Sequence, residues 1–474
     1  MSENKTIKRY AEIDSSFSDY RRFKEPSSSR TAAKEAFIAD RTYAPDFKYP
    51  SIEFLFDKLD KEDRESVNDK DHYLHIKKSR IQKAVYELDS YSDTNPEALL
   101  YSNFHQTRLL RIMLNEASYR MLFATNEDSR SIAAKEFSTV GRELYGPMDK
   151  ELFLGITHNY KHKIDQFIPK TDQALSIKNS LQNVFTQCYI DGPEPEPIID
   201  KETLLKIRAT ITKRYEKLFG VFPGTDDNVY YNAQQSAEIL NDALATTGLS
   251  YFGWKAIVDN NIQIVSTDGE FQTISLPSNL RRNSAELVRL YIHEGEVHAR
   301  RYENGKRRSV LLSRGTANYA DVEEGVGLLL ECALVGEIKS PALDRAEERY
   351  LLAGIATGLF GPLRDARQSH ELLWRLIAVK QNHHGVIGQK EIKKAKTASV
   401  VHIENAFRGT PTTIPGIIYP KLKIYLEGLV KNCRLFQSYN GDYNDLLDKI
   451  MLGKYDHTNP TEAALVLGYF LEKQ

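Results

Sequence analysis

The segment Tyr291-Ile-His-Glu-Gly-Glu-Val-His-Ala-Arg-Arg restricts what this chain can fold into more than any other stretch. His293 and His298 stand five residues apart, and Glu294 directly follows the first of them. On an α-helix a step of four residues returns to nearly the same face, roughly 40° round, whereas a step of five leaves two side chains roughly 140° apart. Two imidazoles so placed cannot grip one ion. If they are partners, the helix has to widen. A π-bulge would absorb the extra residue, and Gly295 between the histidines lowers the cost of such a distortion. The chemistry that would favour it is plain: neutral imidazoles suit zinc, and a carboxylate beside the metal can take a proton from water. The plainer alternative is a pair of ordinary helix histidines, in a chain that holds 12 of them.

A catalytic zinc takes three protein ligands and keeps one position open. The stretch Asp321-Val-Glu-Glu-Gly-Val-Gly-Leu-Leu-Leu-Glu begins a second helix shortly downstream, and Glu324 near its start could turn inward to the metal. Glu323 could substitute for it. Asp321 with Glu324 also reads as a capping box, which needs no metal. A rival ligand set is His293 with Glu296, the HxxE pair of a different carboxypeptidase class, completed by a distant histidine such as His402. Its i, i+3 spacing suits an undistorted helix.

The rest of the chain frames this motif. With 474 residues there is room for two or three domains. A net charge of −1 speaks against a nucleic-acid partner. The three cysteines, Cys188, Cys332 and Cys433, are far apart and form no CxxC, so neither cysteine ligation nor a disulfide framework is expected. No run of about 18 apolar residues predicts a membrane span. The N-terminus lacks the apolar stretch of a secretory signal, so the expected location is cytoplasmic.

Residues 1–48 read as a flexible leader, 49–190 as a helical lobe, 191–230 as a connecting segment and 231–474 as the motif-bearing domain. Asp191-Gly-Pro-Glu-Pro-Glu-Pro marks the exit from the lobe. Within the lobe, the stretch from Glu97 to Leu114 carries apolar residues at three- and four-residue steps. Asn232 with Gln235 predicts a capped helix that runs to about Thr246 and stops at Gly248. Strands are expected at Trp254–Val258, Ile262–Val265 and Phe271–Leu276, with Asp268-Gly269 as a hairpin turn. Ser284 is the expected cap of the motif helix. Helix, small sheet, motif helix and a further helix form a layout that many zinc peptidases use. The expected class is therefore α+β and mostly helical, with an N-terminal helical lobe and a zincin-like catalytic domain.

His293-Glu-x-x-x-His298, followed about thirty residues later by Glu323-Glu324-Gly325-Val326-Gly327, resembles a family whose signatures are HExxxH and a QEGLA box. That family includes bacterial flavohaemoglobin-expression modulators and the microtubule-associated tyrosine carboxypeptidases, which remove the C-terminal tyrosine of α-tubulin. Ala285–Gly305, Phe407-Arg408-Gly409, the stretch from Tyr419 to Gly428, Glu143-Leu-Tyr-Gly-Pro and Glu151-Leu-Phe extend the likeness from about Asp93 onward. The box is EEGVG here, and the motif carries an extra glutamate at Glu296.

The resemblance implies a zinc cofactor held by His293, His298 and Glu324, with Glu294 as general base. It also implies a substrate that is the C-terminal tail of a peptide or protein, ending in a tyrosine-like residue. Tyr425 is its candidate donor to an oxyanion. A terminal carboxylate is best held by arginine, which puts Arg408 first and Lys421 second. Arg300-Arg301 and Lys306-Arg307-Arg308 would form a basic rim suited to an acidic tail. The strand Phe271–Leu276 could pair with extended substrate. The bacterial relatives' name leaves a second reading, a non-catalytic regulator that keeps a zinc site.

Overall fold

The computed structural model describes residues 78–471, apart from 80, 83–84, 87–88, 90–95, 125, 189–197, 225–227, 261, 263, 339–340 and 408–409. The leader expected over 1–48, the Pro-rich turn at 191–197 and Arg408 lie outside the described residues. The protein is α+β and mostly helical, with a small sheet placed before the motif helix. No described helix is long and apolar enough to cross a membrane. Two compact units arise, each assembled from separate stretches of chain. Residues 109–188 and 345–423 belong to the first, and 78–108, 198–344 and 424–471 to the second.

The first unit is helical. Glu127–Tyr145 shows why: Ala133, Ala134, Phe137, Val140, Gly141 and Leu144 recur at three- and four-residue steps and are all buried. They pack with Leu114, Met121 and Ile417 in one core. Asn126, Asp149 and Asp365 each begin a helix by accepting from the backbone N–H three residues on.

The second unit carries the motif. Its helix α1 is Lys201–Arg214. Strand β1, Tyr231–Asn232, leads into α2, Ala233–Thr246, where Asn232 and Gln235 form the expected capping box and Gly248 follows with φ +77°. Three strands then form one sheet: β2 Lys255–Asp259, β3 Ser266–Asp268 and β4 Thr273–Pro277. The strand expected at Ile262–Val265 forms later, at β3. Asp268 Oδ1 accepts from the N–H groups of Glu270 and Phe271, so the turn begins at Asp268 and pins Ser266 opposite Ser275.

β4 lies in the middle, parallel to β2 and antiparallel to β3. Both of its edges are paired, so the expected docking of substrate on Phe271–Leu276 has no open edge to use; β3 is the outer strand on the motif side.

β5, Arg281–Arg282, pairs back to β1 and delivers the chain to α3, Ser284–Tyr291. Asn283, not Ser284, is the cap: its side chain accepts from Glu286 N and Glu286 accepts from Asn283 N, while Ser284 Oγ donates to Pro223 O. α3 continues into a π-helix, Ile292–Ala299, and then α4, Arg300–Lys306. Helix α5, Tyr319–Val335, lies against the π-helix and crosses α6, Ile424–Ser438. The crossing is close because Gly325 faces the Gly428 backbone and Gly428 faces the Asp321 carbonyl, with no Cβ between them. The last helix, α7, is Pro460–Leu471.

Gly428→Ala should therefore lower the unfolding free energy by at least about 2 kcal/mol in urea titrations, since a methyl group there overlaps backbone that cannot step aside. Gly468→Ala in α7, where a Cβ meets nothing within 4 Å, should raise it by about 0.5–1 kcal/mol.

Candidate metal centre

The π-helix resolves the five-residue spacing. Its hydrogen bonds close from i to i+5 instead of i to i+4, which brings residues five apart onto one face. His293 and His298 face one another with ring centroids 5.0 Å apart. Tyr291 keeps this turn in place. Its ring occupies the space where a Cβ on Gly295 would stand 2.8 Å away, and its hydroxyl donates to Ala243 O of α2 and meets Thr247 Oγ1. Gly295 thus gives room for the tyrosine as well as easing the backbone.

Glu324 completes a triad. Its Oε2 lies 3.6 Å from His293 Nε2 and 3.9 Å from His298 Nε2. One ligand atom from each of the three residues lies within 4.8 Å of the others. Zinc bonds of about 2.0–2.2 Å at tetrahedral angles put ligand atoms about 3.4 Å apart, close to the two separations from Glu324. Asp321 does not form the capping box with Glu324. Helix α5 begins at Tyr319, and the Asp321 carboxylate accepts from Val322 N and pairs with Lys431.

The other ring nitrogens are also occupied. His293 Nδ1 is 2.6 Å from Glu331 Oε1, and His298 Nδ1 is 3.3 Å from Glu323 Oε2. Each imidazole can thus donate its Nδ1–H to a carboxylate and leave Nε2 facing Glu324, the arrangement that orients metal-bound histidines. Glu324, Gly327 and Glu331 share one face of α5 by their spacing. Gly327 is the hollow in that face, for a Cβ there would stand 2.7–2.8 Å from three atoms of the His293 ring. Glu294, partly exposed, accepts a 2.7 Å hydrogen bond from Thr267 Oγ1 of β3, so the small sheet aims the carboxylate beside the histidines.

Charge in this region is lopsided. Glu294, Glu323, Glu324 and Glu331 surround two imidazoles. Burial opposes protonation of His293, yet Glu324 and Glu331 outweigh it and lift its pKa well above the usual imidazole range. Burial likewise opposes ionisation of Glu323, but Lys454 first, then His298 and Arg301, hold it below the usual carboxylate range. A donor set of two imidazoles and a carboxylate, with positive charge called for at its centre, fits zinc.

Several residues singled out in the sequence are placed elsewhere. Glu296 is 2% exposed, and its carboxylate pairs with Arg300 Nη2 at 3.1 Å, so the HxxE pair is not assembled. His402 sits in the first unit, 3.7 Å from Glu348. Arg301 is fully buried, with Nε donating to Gly453 O and Nη2 to Tyr455 O. Arg300 donates to Thr247 O, and Arg307 stacks on Phe252. Of the expected basic rim, Lys306 and Arg307 are the exposed members. Tyr425 is half-buried in the first turn of α6, and Lys421 is half-buried in the 3-10 turn Pro420–Lys423 of the first unit.

Glu331 and Thr267 were not singled out by sequence reasoning, and Gly327 only as part of the box. Glu331 and the place of Gly327 were detectable as helical neighbours of Glu324. Nothing local could have pointed to Thr267, 27 residues before its partner.

No family model matches this chain, and no curated protein sequence matches it.

Gly327→Ala should leave the helices intact by circular dichroism while weakening zinc binding at least about tenfold in chelator competition, because the methyl displaces the His293 ring. A pH effect follows from His457, whose Nδ1 faces Arg301 Nη2 at 3.4 Å and whose Nε2 faces Asn432 Oδ1 at 2.8 Å. With Nδ1 accepting from a guanidinium the ring stays neutral, and burial followed by Arg301 pushes its pKa well below the usual range. Above the unfolded pKa of about 6.5 both states are neutral and this group adds no pH dependence. Below it the unfolded chain takes a proton that the folded chain refuses. Stability should therefore fall with decreasing pH by up to about 1.4 kcal/mol per unit from this group. His457→Asn should flatten that slope in denaturant titrations between pH 6.5 and 5.

Proposed function

We propose that this protein is a zinc-dependent peptidase of the carboxypeptidase kind, acting on the C-terminal tail of a peptide or protein. The observation that carries this reading is the convergence of His293 Nε2, His298 Nε2 and Glu324 Oε2, with Glu294 held beside them by Thr267. A bound zinc supplies Lewis acidity, which polarises a carbonyl and makes water a better proton donor near neutral pH.

The chain's own residues do the rest. His293, His298 and Glu324 hold the ion, while Glu331 and Glu323 hold the two imidazoles with Nε2 inward. Glu294 accepts the proton of the attacking water at its carboxylate and returns it to the leaving amine. The hydrogen bond from Thr267 Oγ1 occupies Glu294 Oε2 and leaves Oε1 for that task. Tyr425 is the candidate donor to the developing oxyanion, and Arg408 and Lys421 are the candidates for a terminal carboxylate. These three roles, and the preference for a tyrosine-like last residue, rest on the sequence resemblance.

Elemental analysis of the purified chain should find about one zinc per molecule in the wild type and in Glu294→Gln, and none in His298→Ala. On a panel of peptides with varied C-termini, Glu294→Gln should lower kcat by at least about 100-fold with its zinc retained. Absence of zinc from the wild type would sink the reading. Zinc without turnover on any peptide would leave the non-catalytic regulator instead.

A further inference from the structure

The carboxylate behind His298 is surrounded differently from an ordinary hydrogen-bond acceptor. Glu323 is buried, and the oxygen that faces His298 Nδ1 also faces Lys454 Nζ at 3.4 Å. Its other oxygen lies 3.8 Å from Arg301 Nη1, and neither of those two atoms makes a hydrogen bond. Two cations thus flank one anion, and they come from separate parts of the second unit. Arg301 lies on α4, three residues after His298. Lys454 comes from the segment between the last two helices.

That segment is stitched to the motif side by several hydrogen bonds. Arg301 donates to Gly453 O and Tyr455 O, Asn304 Nδ2 donates to Met451 O, and Lys454 N donates to Leu312 O. The Lys454 ammonium lies over the rings of Tyr302 and Tyr319, which limit where it can go. A lysine on a free loop would lose much rotamer freedom to reach a buried carboxylate. Here the backbone and two rings have already removed it.

An imidazole that offers Nε2 to a cation must keep its proton on Nδ1, and a fixed acceptor there sets both tautomer and ring angle. Glu323 is that acceptor. Its position among other carboxylates would repel it from the centre unless its charge were matched, which is what Lys454 and Arg301 do. We propose that Glu323 is the positioning residue for His298, that Lys454 and Arg301 act through it, and that the segment Met451–Tyr455 is therefore part of the metal centre. This rests on the zinc reading above.

The test uses the full chain with Glu323→Gln, Lys454→Met, Lys454→Arg and the double variant Glu323→Gln/Lys454→Met. Two readouts are taken: zinc affinity by chelator competition, and the visible absorption of the cobalt(II)-loaded protein, which reports ligand geometry. Glu323→Gln and Lys454→Met should each weaken zinc about 10–100-fold and shift the cobalt bands. Lys454→Arg should keep most of the affinity. The double variant should bind no worse than Glu323→Gln alone, because the lysine acts through the glutamate.

If Glu323→Gln fails to fold with two cations left unmatched, Lys454→Met still keeps the Glu323–Arg301 pair and carries the same readouts. A wild type that binds zinc, with affinity and cobalt bands unmoved in the folded single variants, would overturn this inference and leave the zinc reading standing. Additive losses in the double variant would overturn the claim that Lys454 acts through Glu323. A wild type without zinc removes both.

Discussion

Two imidazoles five residues apart can share an ion only where the helix is wide, and much of the second unit serves to keep it so. The extra residue of the π-turn has to be stored somewhere, and Gly295 with the Tyr291 ring over it is the place. Tyr291 is anchored through Ala243 and Thr247 to α2, so the turn is braced from outside the motif. On the opposite side α5 presents a hollow at Gly327 into which His293 fits. Helix α5 also approaches α6 closely at Gly325 and Gly428, and at each of these glycines a specific neighbour occupies the volume of a side chain.

Electrostatics sets the second constraint. Buried carboxylates are costly unless paired, and an isolated one would take up a proton instead. The centre gathers four carboxylates, Glu323 and Glu331 buried, Glu294 and Glu324 half-buried. Glu331 is matched by His293, Glu323 by His298, Lys454 and Arg301, and Glu294 by the Thr267 hydroxyl. Glu324 faces both imidazoles, its Oε2 3.6 Å from His293 Nε2 and 3.9 Å from His298 Nε2. The buried guanidinium of Arg301 plays a double part, since the same group that balances Glu323 also ties the C-terminal segment to the motif helix.

The local grammar of the chain was readable because it depends on neighbours in sequence. Asn232 and Gln235 cap α2 as their spacing demands, and a widened turn brings the HExxxH histidines together, as their spacing requires. Two expectations were off by one or a few residues, at Ser284 and at Ile262–Val265. Ser284 bonds to Pro223, and Asp268 sets the start of the hairpin turn. Arg301 shows the limit more sharply. In sequence it belongs to a basic run, and nothing near it foretells burial against a backbone segment some 150 residues later.

By itself, then, the sequence determined the residue types of a candidate metal-binding set, the distorted helix their pairing requires and the mostly helical class, because spacing, capping and periodicity are local properties. Tertiary structure decided which glutamate faces the histidines, which ones stand behind them and which carboxylate is spent on Arg300. It also decided that β4 is central, that Thr267 reaches Glu294, and that two compact units are each built from distant stretches. The physical reason is the same in every case. A carboxylate's role depends on which charges and donors lie within about 4 Å of it, and those come from helices and strands that only packing brings together.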